Sequence, residues 1–137
     1  MFHQKTLEIS TTHRGFYNLD EQISTIVQKS DIKTGLCHVF IPHTSASLLL
    51  MENWDSTVLT DLEAFMSRLV PDGDNIFQHT VEGLDDMPAH VRTALTQTAV
   101  SVPIVNGKLA LGTWQGIFLW EHRLKSHQRN IIVTLIV

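Results

Sequence analysis

The stretch GTWQGIFLWEHR, residues 112–123, has the composition of a β-strand near the end of the chain. It places Gln115, Glu121 and Arg123 among large apolar side chains. Because side chains alternate along a strand, these three residues fall on one face. The pattern indicates either a half-solvated strand with an ordinary Glu121–Arg123 ion pair, or the wall of a small-molecule site. In such a site Glu121 serves as a base, a proton relay or a support for a metal ion.

The segments on either side of this stretch predict further strands. NIIVTLIV, residues 130–137, is almost wholly apolar and predicts a last strand buried on both faces, by a helix or by a neighbouring subunit. SVPIVNGKLALG, residues 101–112, predicts a hairpin because Asn106 and Gly107 supply the positive φ angles of a tight turn. Earlier strand-like segments are TLEIS (6–10), LCHVFIPH (36–43) and ASLLLME (46–52).

Three other segments have helical periodicity. NLDEQISTIVQKS, residues 18–30, has Asn18 as a candidate cap and Glu21 as its capping-box partner. A second apolar stripe begins near Asp55 and stops at PDGDN, and a third helix opens near Pro88. We therefore predict a single α+β domain over residues 1–137, with a large mixed, mainly antiparallel β-sheet and two to three helices.

Composition and charge limit the classes of function. The 137 residues are 43% hydrophobic and 18% charged, which is typical of one globular domain. The net charge of −4 gives no general attraction to nucleic acid or to anionic membranes. No apolar run reaches membrane-spanning length, and the single cysteine, Cys37, fits a reducing compartment. We expect a cytoplasmic protein with no nucleic-acid partner and no membrane partner.

Eight histidines are many for so short a chain. His43, His79 and His90 lie on three different predicted elements and could converge as an open metal site, as three ligands do in catalytic zinc proteins. Their spacing matches no short metal motif, so a turn histidine at His43 and a solvated one at His79 stay open as readings. Such a set suits zinc, manganese, iron or nickel better than magnesium. Arg123, Lys125 and Arg129 add a local positive cluster suited to phosphate.

Four motifs together resemble one known family. PHTSASL (42–48), VPDGDN (70–75), EGLDDMPAHV (82–91) and NGKLALGTWQGIFLWEHR (106–123) closely resemble the YjbQ family, in particular its enterobacterial members, and the resemblance spans essentially the whole chain. It implies a homotrimer with pockets near subunit boundaries. It also maps the polar cluster of the family onto His43, Ser45, Ser47, His79, Glu82, His90, Thr113, Gln115, Glu121 and Arg123.

The resemblance further implies a secondary thiamine-phosphate synthase activity. This reaction joins hydroxymethylpyrimidine diphosphate to thiazole phosphate with loss of pyrophosphate, assisted by a divalent metal such as Mg²⁺. The expected catalytic residues are His43, His90, Glu121 and Arg123, and Trp114 is expected to shelter the pyrimidine methylene cation. Substrate and phosphate contacts are expected from Ser45, Ser47, Thr113, Trp114, Gln115, Lys125 and Arg129.

The predicted metal ligands do not suit a magnesium diphosphate. Apart from Asp85 and Asp86 the chain has few clustered aspartates, and magnesium prefers oxygen ligands to imidazole. Two alternatives therefore stay open beside the synthase. One is a hydrolase of a small phosphorylated or acylated metabolite that uses a histidine-bound transition metal such as zinc. The other is a non-catalytic trimer that binds a small phosphorylated metabolite.

Overall fold

The structure is a computed structural model that describes residues 2–137; Met1, the first residue of the predicted domain, lies outside the described residues. Within this range the chain forms eight strands and three helices. In chain order these are β1 (Phe2–Thr11), β2 (Gly15–Asn18), α1 (Asp20–Ser30), β3 (Thr34–Phe40), β4 (Ala46–Glu52), α2 (Ser56–Leu69), α3 (Asp86–Leu95), β5 (Ala99–Val105), β6 (Lys108–Leu109), β7 (Gln115–Glu121) and β8 (His127–Ile136).

The strands form two sheets. Sheet A has five strands in the order β1-β8-β3-β5-β6, and sheet B has three in the order β2-β7-β4. Every strand pairing in the described range is antiparallel. The predicted α+β class is confirmed, while the one large mixed sheet is replaced by two antiparallel sheets. No helix among the described residues is long and apolar enough to cross a membrane.

The main core lies between the two sheets and α1. Ile131 and Val133 of β8, Leu119 of β7 and Ile23 of α1 belong to one buried apolar cluster. The opposite face of β7 presents Trp120 to a smaller cluster beside α2. Both faces of β7 are therefore covered, and every residue from Gly116 to Glu121 is buried. This strand is neither half-solvated nor a pocket wall, because a sheet covers one of its faces and a helix covers the other.

The last strand, β8, is covered on fewer faces than predicted, whereas β7 is covered on more. Alternate residues of β8 are buried, but the face of sheet A that points away from the core is not covered within the described chain. Leu36 and Phe40 of β3 are 38% and 39% exposed, and Val105 and Ile136 are 51% and 46% exposed. We call these four residues the outer face of sheet A. The apolar run 130–137 is thus buried on one side only.

Candidate functional site

Two histidines and one aspartate converge around the start of α3. Asp86 is the first residue of the helix, His90 follows one turn later, and His79 lies in the loop before it. His79 Nε2 is 2.8 Å and His90 Nε2 is 3.2 Å from the same oxygen, Asp86 Oδ2. The three ligand atoms lie within 4.8 Å of one another. We call His79, Asp86 and His90 the metal cluster.

The tautomer of His90 favours a cation in this cluster. His90 Nδ1 lies 2.8 Å from the backbone carbonyl oxygen of Thr44, and a carbonyl oxygen only accepts hydrogen bonds. Nδ1 therefore carries the hydrogen, and in the neutral ring the lone pair of Nε2 faces Asp86 Oδ2. Lone pairs that face each other repel unless a proton or a metal ion lies between them. An imidazole held through Nδ1 by a carbonyl is the usual arrangement of a histidine ligand.

The carboxylate of Asp86 is also held in one orientation. Its side chain is 2% exposed, and Oδ1 accepts a hydrogen bond of 2.8 Å from Arg123 Nη1. Arg123 also binds Asp85 Oδ2 at 3.0 Å and the backbone oxygen of Glu82 at 2.9 Å. Burial raises the pKa of Asp86, but His79, His90 and Arg123 outweigh burial and hold this pKa below its ordinary value. Asp86 is therefore an ionised carboxylate whose Oδ2 points at the two histidines.

The loop that carries His79 is tied to the rest of the protein. Near the start of this loop Arg14 makes a bidentate salt bridge to Asp72. Nη1 donates to Oδ2 at 2.8 Å, and Nη2 donates to Oδ1 at 2.9 Å. Gly73 adopts φ of 74°, a left-handed conformation that favours glycine, and donates to the backbone oxygen of Leu84. His79 keeps 46% of its side chain exposed. The cluster is thus fixed on the protein side and open on the solvent side.

The donor set fits a transition metal. Two imidazoles and one carboxylate form a three-ligand site of the kind that catalytic zinc proteins use, with further positions left for water or substrate. Mixed imidazole and carboxylate ligation also suits iron, manganese, cobalt or nickel, whereas magnesium prefers an all-oxygen shell. His79, Asp86 and His90 would hold the ion, and Arg123 and the Thr44 carbonyl would orient two of these three residues.

His43, the third predicted metal ligand, does not belong to this cluster. Its Nε2 accepts a hydrogen bond of 2.9 Å from the backbone N–H of Asn130, which occupies the lone pair that a metal would need. Burial, helped by the charge of Arg129, lowers the pKa of His43. The third member of the cluster is therefore Asp86, and the prediction of His43 as a metal ligand is wrong. The spacing of Asp86 and His90, one helical turn apart, is the signal that could have identified the pair.

Glu121 and Arg129, predicted to face a ligand, pair with each other inside the protein. The side chains are 0% and 5% exposed. Arg129 Nε donates to Glu121 Oε1 at 2.8 Å, and Arg129 Nη2 donates to Glu121 Oε2 and to Ser45 Oγ. Thr11 Oγ1 donates to Glu121 Oε1 at 2.7 Å. Burial raises the pKa of Glu121, but the bonds from Arg129 and Thr11 hold it below its ordinary value.

The remaining predicted substrate contacts are spread over the molecule. Ser47 is fully buried and bonds His122 Nε2 at 2.8 Å. Gln115 Oε1 accepts from the Gly112 N–H, so this side chain holds its own turn, next to the exposed Thr113. Trp114 is 54% exposed and contacts Trp54 with ring centroids 5.4 Å apart.

These contacts do not form one pocket within a single chain. Gln115 and Glu121 are the two ends of β7, about 20 Å apart by the rise of a strand. Arg123 lies beyond the Glu121 end, beside the metal cluster, and Lys125 is exposed two residues further on. Within a single chain Arg123 therefore lies beside the metal cluster. Thr113, Trp114 and Gln115 lie at the other end of sheet B.

Known proteins resemble the chain along nearly all of its length. A family model described as UPF0047 protein YjbQ-like matches residues 5–137. A UPF0047 protein of Synechocystis is 56% identical over 96% of this chain and 89% of the relative. The UPF0047 protein YjbQ of Escherichia coli O157:H7 is 44% identical over 98% of both chains.

A solved structure agrees with these matches. The crystal structure of an uncharacterized conserved protein of the yjbq/upf0047 family from Clostridium acetobutylicum is 30% identical to this chain. It superposes with a TM-score of 0.85 over 98% of this chain and 99% of that one. Family model, sequence identity and fold lead to one conclusion: the chain belongs to the YjbQ family.

Proposed function

We propose that the protein is a metal-dependent enzyme that acts on a small phosphorylated metabolite, with thiamine-phosphate synthase activity as its reaction. The observation that supports metal dependence is the convergence of His79 Nε2 and His90 Nε2 on Asp86 Oδ2, with His90 oriented by the Thr44 carbonyl. The resemblance of the chain to the YjbQ family supports the choice of reaction.

In the synthase reaction the thiazole nitrogen forms a bond to the pyrimidine methylene carbon. The bond from that carbon to the diphosphate oxygen breaks, and pyrophosphate leaves with both electrons. A divalent ion in the metal cluster would neutralise the diphosphate as it leaves. Lys125, exposed two residues from Arg123, would add positive charge on the same side. Arg123 itself holds Asp85 and Asp86, so it orients the cluster rather than binding substrate.

Hydrolysis is the second candidate, and the donor set favours it. Two imidazoles with one carboxylate suit zinc-like ions, which lower the pKa of a bound water molecule towards neutrality. The open side of the cluster, where His79 is 46% exposed, would admit a phosphorylated or acylated small molecule. A non-catalytic trimer that binds the same metabolite is the third candidate, and turnover separates it from the first two.

Metal analysis tests the proposal. Wild-type protein, reconstituted with zinc and then desalted, should hold close to one ion per chain, and the double variant His79→Ala/His90→Ala should hold none. His43→Ala is the matched control: it removes a histidine outside the metal cluster and should keep the ion. Loss of the ion in His43→Ala, or no ion in the wild type, would refute the assignment of the cluster.

The reaction is tested on the wild type and the double variant. We expect the wild type to form thiamine phosphate from the two phosphorylated precursors, and we expect a loss of at least tenfold in the double variant. Release of inorganic phosphate from either precursor, with no thiamine phosphate formed, would favour the hydrolase. Binding of either precursor without turnover would favour the non-catalytic trimer.

We also propose that the protein assembles as a homotrimer through the outer face of sheet A. The four apolar residues of this face are 38–51% exposed, and exposed patches of this kind mark sites of association. Polar side chains lie between the apolar residues of this face: His38 Nδ1 bonds Ser101 Oγ, and Gln4 Nε2 donates to Thr134 Oγ1. In a closed trimer this face would contact a different surface of the next copy, and side chains that both donate and accept can pair there with either donors or acceptors.

Charge on this face should block assembly. The wild type should sediment at three times the chain mass of 15.5 kDa, and Phe40→Glu should sediment as a monomer. The reason is that burying an unpaired carboxylate costs several kcal/mol for each subunit. Phe65→Glu, on a 55% exposed residue of α2, is the matched control and should leave the trimer intact. A monomeric wild type, or a trimeric Phe40→Glu variant, would contradict this proposal.

A further inference from the structure

We infer that the buried Glu121–Arg129 pair positions two of the three ligands of the metal cluster, so that metal affinity depends on a pair that never contacts the metal. This inference rests on the proposed metal site. It assigns Glu121 the part of a positioning residue rather than of a base. Two chains of contacts lead from the pair, one to Asp86 and one to His90.

The first chain runs along the end of β7. Glu121 Oε2 accepts the backbone N–H of Arg123 at 3.1 Å, which sets the direction in which the chain leaves the strand. The Arg123 side chain then donates from Nη1 to Asp86 Oδ1 at 2.8 Å and from Nε to Asp85 Oδ2. Asp86 is thereby rotated so that its other oxygen faces the histidines. A displacement of the Glu121 side chain would therefore move Asp86, because the Arg123 backbone amide and its guanidinium group connect the two residues.

The second chain runs through the loop between β3 and β4. Arg129 Nη2 donates to Ser45 Oγ at 2.9 Å and to the Ser45 backbone oxygen at 3.2 Å. The neighbouring carbonyl, that of Thr44, accepts from His90 Nδ1 at 2.8 Å. Arg129 thus fixes the peptide segment whose carbonyl selects the tautomer of His90 and aims its ring. Both chains start from one ion pair, so the pair fixes the orientation of the Asp86 carboxylate relative to the His90 ring.

The bonding of Glu121 leaves no role in proton transfer to a substrate. Its side chain is 0% exposed. Oε1 accepts from Thr11 Oγ1 and Arg129 Nε, and Oε2 accepts from the Arg123 N–H and Arg129 Nη2. A carboxylate has about four lone-pair positions, and here all four are used. A network that is satisfied in this way is rigid, which is the property that a support for a metal site needs.

Cobalt binding tests the inference. Visible absorption of Co²⁺ reports the geometry of its ligands, and titration gives its dissociation constant. Glu121→Gln should weaken Co²⁺ binding 10- to 100-fold and change the spectrum at saturation, since residues that orient metal ligands typically contribute this much. Thr11→Val, which removes the hydroxyl that donates to Glu121 and accepts the His127 N–H, should shift the affinity in the same direction by less.

Asp20→Asn is the matched control for a carboxylate-to-amide change. Asp20 Oδ1 accepts the Ile117 N–H near the other end of β7, so this variant should keep the wild-type affinity and spectrum. Wild-type affinity and spectrum in both Glu121→Gln and Thr11→Val would overturn the inference while leaving the metal site intact. Absence of Co²⁺ binding in the wild type would instead refute the proposed metal site, so the two failures are distinguishable.

Discussion

Replacing Arg129 by methionine should lower the free energy of unfolding by about 3–5 kcal/mol, the usual cost of breaking a buried ion pair. Arg129 supplies two of the four hydrogen bonds that Glu121 accepts, and Glu121 is 0% exposed. Without the guanidinium the carboxylate must either stay ionised with too few donors or take up a proton. Either outcome loses stability at neutral pH, because the unfolded chain keeps Glu121 ionised in water.

Urea denaturation of a set of variants measures this loss. The double variant Arg129→Met/Glu121→Met should recover most of it, because the buried charge is then removed together with its partner. Recovery should stay incomplete, since Thr11 Oγ1 and the Arg123 N–H lose their acceptor. Losses that simply add in the double variant would contradict the account of a coupled pair.

A second buried arginine provides the control. Arg92 is 0% exposed and binds Glu63 at 2.8 Å, but the Glu63 side chain is 24% exposed. In Arg92→Met the Glu63 carboxylate can therefore be hydrated, whereas Glu121 cannot. We expect a smaller loss for Arg92→Met than for Arg129→Met in the same urea experiment. Equal losses would mean that lost side-chain packing, rather than an unpaired buried carboxylate, determines the decrease in the free energy of unfolding.

The elements that local sequence determines were predicted well. Asn106 and Gly107 have φ of 52° and 79° and connect β5 to β6, as the hairpin pattern predicts. The start of α1 was predicted to within one residue: Asn18 Oδ1 accepts a hydrogen bond from the Asp20 N–H, but the N-cap residue is Leu19, so the predicted cap at Asn18 is wrong. These signals act over two to four residues. No other part of the chain is needed to interpret them.

Errors arose where the partner of an element is distant in sequence. β2, only four residues long, was not predicted, because it is defined by pairing with β7 about a hundred residues later. The two-sided cover of β7 and the one-sided cover of β8 have the same origin. An apolar strand shows that something covers it, but not which sheet or helix does so. The division of the strands between two sheets therefore could not be obtained from the pattern of single segments.

The candidate site shows the same limit. The surplus of histidines identified His79 and His90 correctly as neighbours, since the structure brings both to Asp86. His43 was misplaced because a backbone N–H 87 residues away, that of Asn130, occupies its Nε2. Glu121 was assigned to a ligand for a similar reason. Its true partner, Arg129, lies only eight residues later, but on β8 of the other sheet, and the pattern of a single segment does not show how the two sheets face each other.

Lowering the pH from 7 to 4.5 should lower the stability of the wild type by about 2.5 kcal/mol through His122 alone. Burial, and then the charges of Arg92, Arg14 and Arg129, lower the pKa of His122 to about 2 in the folded protein. In the unfolded chain its pKa is near 6.5. Between these two values only the unfolded chain binds the extra proton. Well above pH 6.5 His122 therefore leaves the free energy of unfolding unchanged. Below pH 6.5 this free energy falls progressively as the pH falls.

His122→Gln is the variant that isolates this effect. An amide can keep the hydrogen bond that His122 Nε2 makes with Ser47 Oγ, and it does not titrate. Urea midpoints measured at pH 7, 6, 5.25 and 4.5 should fall less steeply in His122→Gln than in the wild type, and the gap should widen below pH 6.5.

Parallel curves for the two proteins would mean that the folded protein accommodates protonated His122. That outcome would require a partner for a proton on Nδ1, an atom that is buried with no hydrogen-bond partner among residues 2–137. A second proton on the ring would also add a fourth positive charge to an environment that three arginines already make positive. Burial and charge thus act in the same direction on this ring, which is why we expect the neutral form to persist in the folded state throughout the range tested.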